Sequence, residues 1–240
     1  MSRRAALAAF AAAVGATAAG ASGAEAACRL ALSLGLDVSS SVDAREYRLQ
    51  TEGLAAALVA PEVAEAFLAT PSAPVMLHIY EWSGWQQQTV RLPWTPVASE
   101  ADLVRIAAGL RGQRRSFEQF PTALGYALRF GGEALAVADC EKRTLDLAGD
   151  GTNNDGVSPE VARRELPVAG ITVNGLVIGA NVETLGRYYQ QFVIQGPGAF
   201  VEVAADYEDF ERAMRRKLLR ELGVIEMSGR HDGAPAPRRE

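Results

Sequence analysis

The sequence predicts an α/β fold: a doubly wound, mostly parallel six-stranded sheet with one antiparallel edge strand and helices on both faces. Three observations lead there. Short apolar runs of strand length alternate with segments of helical period from residue 30 to residue 222, the order that parallel strands joined by crossover helices produce. Two runs lie so close together that only a hairpin can join them. The 240 residues are 48% hydrophobic with no internal repeat and no linker, which suits one core rather than two.

Residues 1–26 stand outside that fold. Arg3 and Arg4 precede an Ala-rich run over 5–21, and Ala24-Glu25-Ala26 supplies a small-x-small cleavage site, the layout of a secretory signal peptide. The run carries too little Leu, Ile and Phe for a membrane span. Glu25 stands where a lipobox before Cys28 would want Leu, which argues against lipidation. The mature chain is expected in the periplasm or outside the cell, with no transmembrane span.

Leu30 to Leu36 (LALSLGL) is a nearly continuous apolar run, the mark of a strand buried on both faces. Residues 43–59 read as a helix, with Asp43 as N-cap, Glu46 three residues on, and Pro61 ending the pattern. A short helix follows over 62–69. Strands over 75–82 and 88–94 flank a Ser-Gly turn and form the hairpin. Then come a helix over 99–110, a polar Arg-rich loop over 111–120, a helix over 122–138 and a strand over 143–148. A helix over 158–168, a strand over 171–178, a helix over 182–193, a strand over 199–204 and a helix over 206–222 complete the alternation. The domain is bounded at 28–225, and the polar, Pro-containing stretch over 226–240 reads as a disordered tail. Net charge is −5 and no basic stripe is present, which excludes nucleic acid as the natural partner.

Ligands of open α/β sheets gather beyond the carboxyl ends of the strands. Two polar clusters sit there: Asp37-Val38-Ser39-Ser40-Ser41 after the first strand, and Gly149-Asp150-Gly151-Thr152-Asn153-Asn154-Asp155 after the fourth. Thr122 opens the helix preceding that fourth strand. Asp37, Ser39, Ser41, Thr122 and Asp150 offer two carboxylates and three hydroxyls, the oxygen donors that hard divalent cations take. Helix capping and turn formation are the alternative use of such residues.

Asp37-x-Ser39-x-Ser41 resembles the metal-ion-dependent adhesion site (MIDAS) of von Willebrand factor A-type (vWA) domains, the fold of integrin inserted domains. Thr122-Ala-Leu-Gly125-Tyr-Ala127-Leu128 is similar to that family's Thr segment, and Asp150-Gly151 to its Asp-Gly after the fourth strand. The resemblance spans roughly residues 29–222. The segments GDGTNNDG, VNGL, GPGAFV and RKLLREL also resemble an uncharacterised group of exported bacterial vWA-like proteins.

The resemblance implies that Ser39, Ser41 and Thr122 hold a divalent cation directly or through water. Mg²⁺ is the first choice, with Mn²⁺ or Ca²⁺ as alternatives. Asp37 and Asp150 would act mainly through water, or one of them directly. The remaining position would accept an Asp or Glu carboxylate from a protein partner. Phe120-Pro121 replaces the family's usual Gly-Gly, and Gly149 stands where many relatives have Thr. Ser40, Asn153, Asn154 and Asp155 are candidates for a partner-binding rim, although a run such as Asn153–Asp155 more often makes a tight turn. Trp82, Trp85 and Trp94 surround the hairpin, where aromatics pack across strands; Trp85 in the turn could instead anchor a partner. His78 reads as packed and His231 lies in the tail, so no zinc-type cluster is present.

In the vWA strand order the first and fourth strands are parallel neighbours. Cys28 lies nine residues before Asp37 and Cys140 ten before Asp150, so if the aspartates meet at one edge the cysteines meet at the other. A Cys28–Cys140 disulfide is therefore expected in an exported chain. It should be worth about 4–5 kcal/mol on the chain-entropy account.

The leading function is a non-catalytic, metal-dependent protein-binding module. The alternatives are a metal-assisted hydrolase or phosphotransferase on the same carboxylates, and a purely structural domain. The hydrolase reading wants a second acid where Ser39 stands and a general base near a strand end. No G-x-S-x-G elbow is present for a serine nucleophile.

Overall fold

The computed structural model describes residues 28–224. The expected signal peptide over 1–26 and the tail over 226–240 lie outside the described residues. In chain order the elements are β1 (Leu30–Asp37), α1 (Ala44–Leu58), α2 (Pro61–Leu68), β2 (Val75–Trp82), β3 (Gln88–Val97), α3 (Glu100–Arg111) and α4 (Leu124–Ala136). There follow β4 (Lys142–Gly149), α5 (Pro159–Arg164), β5 (Ile171–Ile178), α6 (Val182–Tyr188), a π-helical turn (Tyr189–Val193), β6 (Val201–Ala204) and α7 (Phe210–Glu221).

The six strands form one sheet in the order β3-β2-β1-β4-β5-β6. Every neighbouring pair is parallel except β2–β3, the hairpin at one edge. The expected fold class is the one found. β1 is buried at all eight positions, as a central strand must be. Its leucines at 30, 32, 34 and 36 pack into the core beneath α1, α2, α3 and α7. The opposite core lies under α4, α5 and α6.

Local chemistry explains the boundaries. Asp43 accepts hydrogen bonds from the Arg45 and Glu46 amides while Glu46 Oε2 accepts from the Asp43 amide at 2.8 Å, a reciprocal cap that starts α1. β3 runs three residues past the expected 94, to Val97, through Pro93 and Pro96. An edge strand tolerates proline because its outward N–H groups need no partner. α5 stops at Arg164 rather than 168, because Pro167 disfavours helix in the residue before it. α4 begins at Leu124 rather than at Thr122. The helix expected over 182–193 gives way at Tyr189 to the π turn. β6 begins at Val201, two residues after the expected 199. The final helix begins at Phe210 rather than 206, because Asp206 and Asp209 close a turn in which the Asp209 amide donates to Asp206 Oδ1 at 2.9 Å.

The Cys28–Cys140 disulfide is present, with Cα atoms 4.7 Å apart. Leu30 pairs with Lys142, so each cysteine sits two residues before its strand, at the sheet edge opposite Asp37.

Candidate metal centre

β1 and β4 deliver Asp37 and Asp150 to the same rim. Gln50 Nε2 of α1 donates to the Asp37 carbonyl at 3.0 Å, which holds the end of β1 in place. The Asp37 carboxylate is fully buried. Its Oδ1 accepts from the Ser39 amide at 2.7 Å, while its Oδ2 has no protein partner.

A row of oxygens lies above it. Thr122 Oγ1 donates to Ser39 Oγ at 3.1 Å, Ser39 Oγ stands 3.2 Å from Ser41 Oγ, and Ser41 Oγ donates to Asp150 Oδ1 at 2.6 Å. Ligands bonded at 2.0–2.1 Å in octahedral geometry stand about 2.9 Å from their neighbours. The row has that spacing. All five residues singled out in the sequence therefore meet at one place, and the donor set suits a hard divalent cation. No three His, Cys, Asp or Glu side chains among the described residues could share an ion, so a cation here depends on the hydroxyls.

The electrostatics point the same way. Burial, reinforced by the Asp150 charge, pushes the Asp37 carboxyl up to about 7; Ser39 and the Arg115 guanidinium pull in the other direction. A bound cation would favour the ionised form of both acids.

The Thr122 segment is held without the flexible Gly-Gly. The Ser40 amide donates to the Phe120 carbonyl at 2.8 Å, Ser83 Oγ donates to the Pro121 carbonyl at 3.0 Å, and the Ala123 amide donates to the Ser83 carbonyl at 2.9 Å. Asn154 binds Thr122 twice, accepting from its amide at 2.8 Å and donating to its carbonyl at 2.9 Å. Asn153 Oδ1 accepts from the Gly125 amide at 3.2 Å, and Asp155 Oδ2 accepts from the Trp85 amide at 3.1 Å. These three rim candidates thus spend a side-chain oxygen each on a backbone amide of a neighbouring segment. The Ser40 side chain is exposed.

Three residues that sequence reasoning did not single out complete the site. Arg115 Nη2 donates to the carbonyls of Val38 and Ser39 at 2.7 and 2.6 Å, anchoring the Arg-rich loop beneath the Asp37 loop. Tyr189, from the π turn, lies across two glycines. A Cβ on Gly175 would meet its ring at 2.5 Å, and one on Gly149 would stand 2.7 Å from its hydroxyl and 3.0 Å from Asp37 Oδ2. Gly149 is therefore the residue that lets a phenol approach the floor of the site. Its identity, already notable against the vWA pattern, was the only sequence signal for this contact. Tyr207, after β6, is buried beside Asp150 and Glu46, and burial followed by those charges holds its phenol protonated.

The hairpin aromatics divide. Trp82 is fully buried, Trp94 Nε1 donates to the Ala134 carbonyl at 3.1 Å, and Trp85 is 51% exposed beside Tyr126. His78 is packed: its Nδ1 lies 2.9 Å from Ser33 Oγ and its ring 5.0 Å from that of Trp94, and burial pushes it down to about 4. His231 lies outside the described residues.

Solved structures share this architecture. Proximal thread matrix protein 1 from the mussel byssus, in a form with a zinc-occupied MIDAS motif, is 17% identical with a TM-score of 0.58, over 83% of this chain and 49% of that one. The von Willebrand factor type A protein from Catenulispora acidiphila is 15% identical with a TM-score of 0.55, over 82% and 43%. The pilus adhesin SpaC from Lactobacillus rhamnosus GG is 14% identical with a TM-score of 0.58, over 81% and 31%. The chain spans about half, or less, of the length of each. No curated protein sequence matches it. A family profile described as "Protein of unknown function (DUF1194)" matches residues 27–226. The chain belongs to that family, and its fold is the vWA fold.

Proposed function

We propose that the protein is an exported, metal-dependent protein-binding module. Asp37, Ser39, Ser41, Thr122 and Asp150 would hold one divalent cation, Mg²⁺ ahead of Mn²⁺ or Ca²⁺, and the partner would present an Asp or Glu. The observation that carries this reading is Asp37: a fully buried carboxylate with an unpartnered oxygen, lying under a row of hydroxyls that leads to a second carboxylate. A buried acid of this kind is costly without a compensating charge. A bound divalent ion supplies that charge together with coordination positions open to an incoming ligand.

Other observations support the reading. Export agrees with the Cys28–Cys140 disulfide. A zinc-occupied MIDAS in the mussel protein and the adhesin role of SpaC show what this fold does elsewhere. Hydrolytic chemistry finds less support. Ser39 occupies the position of a second acid, and His78, 3% exposed within β2, is sealed from the rim.

Calorimetric titration with Mg²⁺, Mn²⁺ and Ca²⁺ tests the metal claim. Saturable heat is expected from the wild type and none from Asp37→Ala. A pull-down from cell-envelope extract should recover partner protein that EDTA releases. Absence of heat with all three ions would sink the proposal.

A further inference from the structure

Among the described residues two aromatic side chains are exposed, Trp85 at 51% and Phe120 at 39%. Both flank the Thr122 end of the oxygen row. Phe120 stands two residues before Thr122, and its carbonyl is held by the Ser40 amide at 2.8 Å. Trp85 stands two residues after Ser83, whose carbonyl accepts from the Ala123 amide at 2.9 Å. Pro121, itself exposed, reaches across to the hairpin turn: a Cβ on Gly84 would stand 3.4 Å from its Cδ.

Neither ring is loosely placed. The Trp85 amide donates to Asp155 Oδ2 at 3.1 Å, and its ring lies 6.2 Å from that of Tyr126. Tyr126 in turn fills the space beside Gly156, where a Cβ would meet its ring at 2.3 Å. The Phe120 ring meets that of Phe117 edge-on at 6.2 Å. Gln119, immediately before it, has a φ of 59° and is the one non-glycine among the described residues with a positive φ. Such a backbone is strained, and strain of this kind gathers at segments that contact ligands.

We propose that Trp85, Tyr126, Phe120 and Pro121 form an apolar shelf for the protein partner. It receives a large aliphatic, aromatic or proline side chain within about three residues of the acid presented to the metal. The inference rests on the metal-binding reading above and extends it to the partner's sequence. Continuity assigns the occupant. The two segments that carry the shelf also fix Thr122, so a polypeptide whose acid lies over the oxygen row meets the shelf next. In an extended segment the side chain two positions along lies about 7 Å away on the same side. The Asp150 end of the row has no exposed aromatic, so the shelf also sets the direction in which the partner runs. A sugar suits the place less well. Its hydroxyls want free polar groups beside the ring, whereas Asn153, Asn154 and Asp155 each commit an oxygen to a backbone amide.

The test is selection of a random heptapeptide library, displayed on phage, against the purified protein in Mg²⁺. Selected peptides are expected to carry Asp or Glu with a large apolar residue one to three positions away. Replacing that apolar residue by Ala in a synthetic version should weaken binding about tenfold. The ratio should fall towards unity in Trp85→Ala/Phe120→Ala. Bound peptide should also shield the protein's tryptophan fluorescence from acrylamide, because Trp85 is its exposed indole, and the shielding should vanish in Trp85→Phe. Failure to enrich such peptides overturns the proposal, as does an alanine effect that persists in the double variant. Binding of a glycan on an array, or of a second copy of the chain in sedimentation, also overturns it if the double variant abolishes that binding. If the wild type gives Mg²⁺ heat in any of these cases, only the shelf proposal falls. If Mg²⁺ gives no heat, the metal reading falls as well.

Discussion

β1 and β4 each bury an aspartate completely, and the two have opposite company. Asp146, in the middle of β4, lies 2.9 Å from the Lys217 ammonium, which is itself 2.9 Å from Glu221. Asn174 Nδ2 donates to Glu221 at 2.8 Å, and the Phe200 ring covers the ammonium at 4.5 Å. That cluster ties α7 to the sheet from within. Asp37, at the end of β1, is surrounded by hydroxyls and a second carboxylate, and the adjoining Ser40 and Ser41 are exposed. A buried acid whose countercharge is built into the fold contributes to structure. One whose countercharge is not built in is suited to take it from solution.

The comparison can be broken in four ways. Lys217→Met should have the largest effect, a loss of about 3–5 kcal/mol in urea unfolding, because it leaves two carboxylates buried without their cation. A cost below about 1 kcal/mol would show that the cluster does not pin α7.

Asp37→Asn should act in the opposite direction. Metal affinity is expected to fall by about two orders of magnitude, while the metal-free protein gains about 1–3 kcal/mol on losing an uncompensated buried charge. Calorimetry and urea unfolding in EDTA read the two effects separately. If both the Lys217 and the Asp37 variants lose stability, the distinction between the two sites collapses.

His78 sharpens the contrast with a buried group that avoids charge altogether. Its folded pKa is depressed to about 4. Between pH 6.5 and 4 the unfolded chain therefore binds a proton that the folded chain refuses. The associated stability is present above pH 6.5 and is lost as pH falls towards 4, by roughly 2–3 kcal/mol. Unfolding curves across that range should be flatter for His78→Gln, and equal slopes would contradict the assignment.

The smallest effect is expected from Tyr189→Phe. If the phenol helps to orient Asp37, metal affinity should drop about tenfold with the thermal midpoint nearly unchanged, as for groups that support a ligand from behind. Tyr189→Leu should lose both, since the ring also packs on Gly175. An affinity unaltered in Tyr189→Phe would leave the residue a packing role alone.

Much of the molecule was legible from local pattern. The eight-residue apolar runs, the Asp43 cap and the close spacing of β2 and β3 are properties of neighbouring residues. So is the triplet Asp37, Ser39 and Ser41, whose alternation lies within one loop. The errors fell at element ends. Pro93 and Pro96 stop a strand only if it is central; the hairpin implied an edge strand, but no local signal says how far it continues past Trp94. Helical period also continues through 182–193, although the chain opens into a π turn at Tyr189.

The sequence by itself determined the alternation of strands and helices, the strand-end position of the oxygen donors, and, through nearly equal offsets along two strands that the family resemblance makes neighbours, the cysteine pairing. Only the tertiary structure decided which groups face one another across distant segments. Arg115 reads as one of several arginines in a polar loop, Lys217 as an ordinary basic residue of a helix, and Tyr189 and Tyr207 as unremarkable aromatics. Their roles follow from crossovers that bring β1, β4 and α7 together. Periodicity and capping act over a few residues, whereas burial and charge compensation depend on the whole packed core.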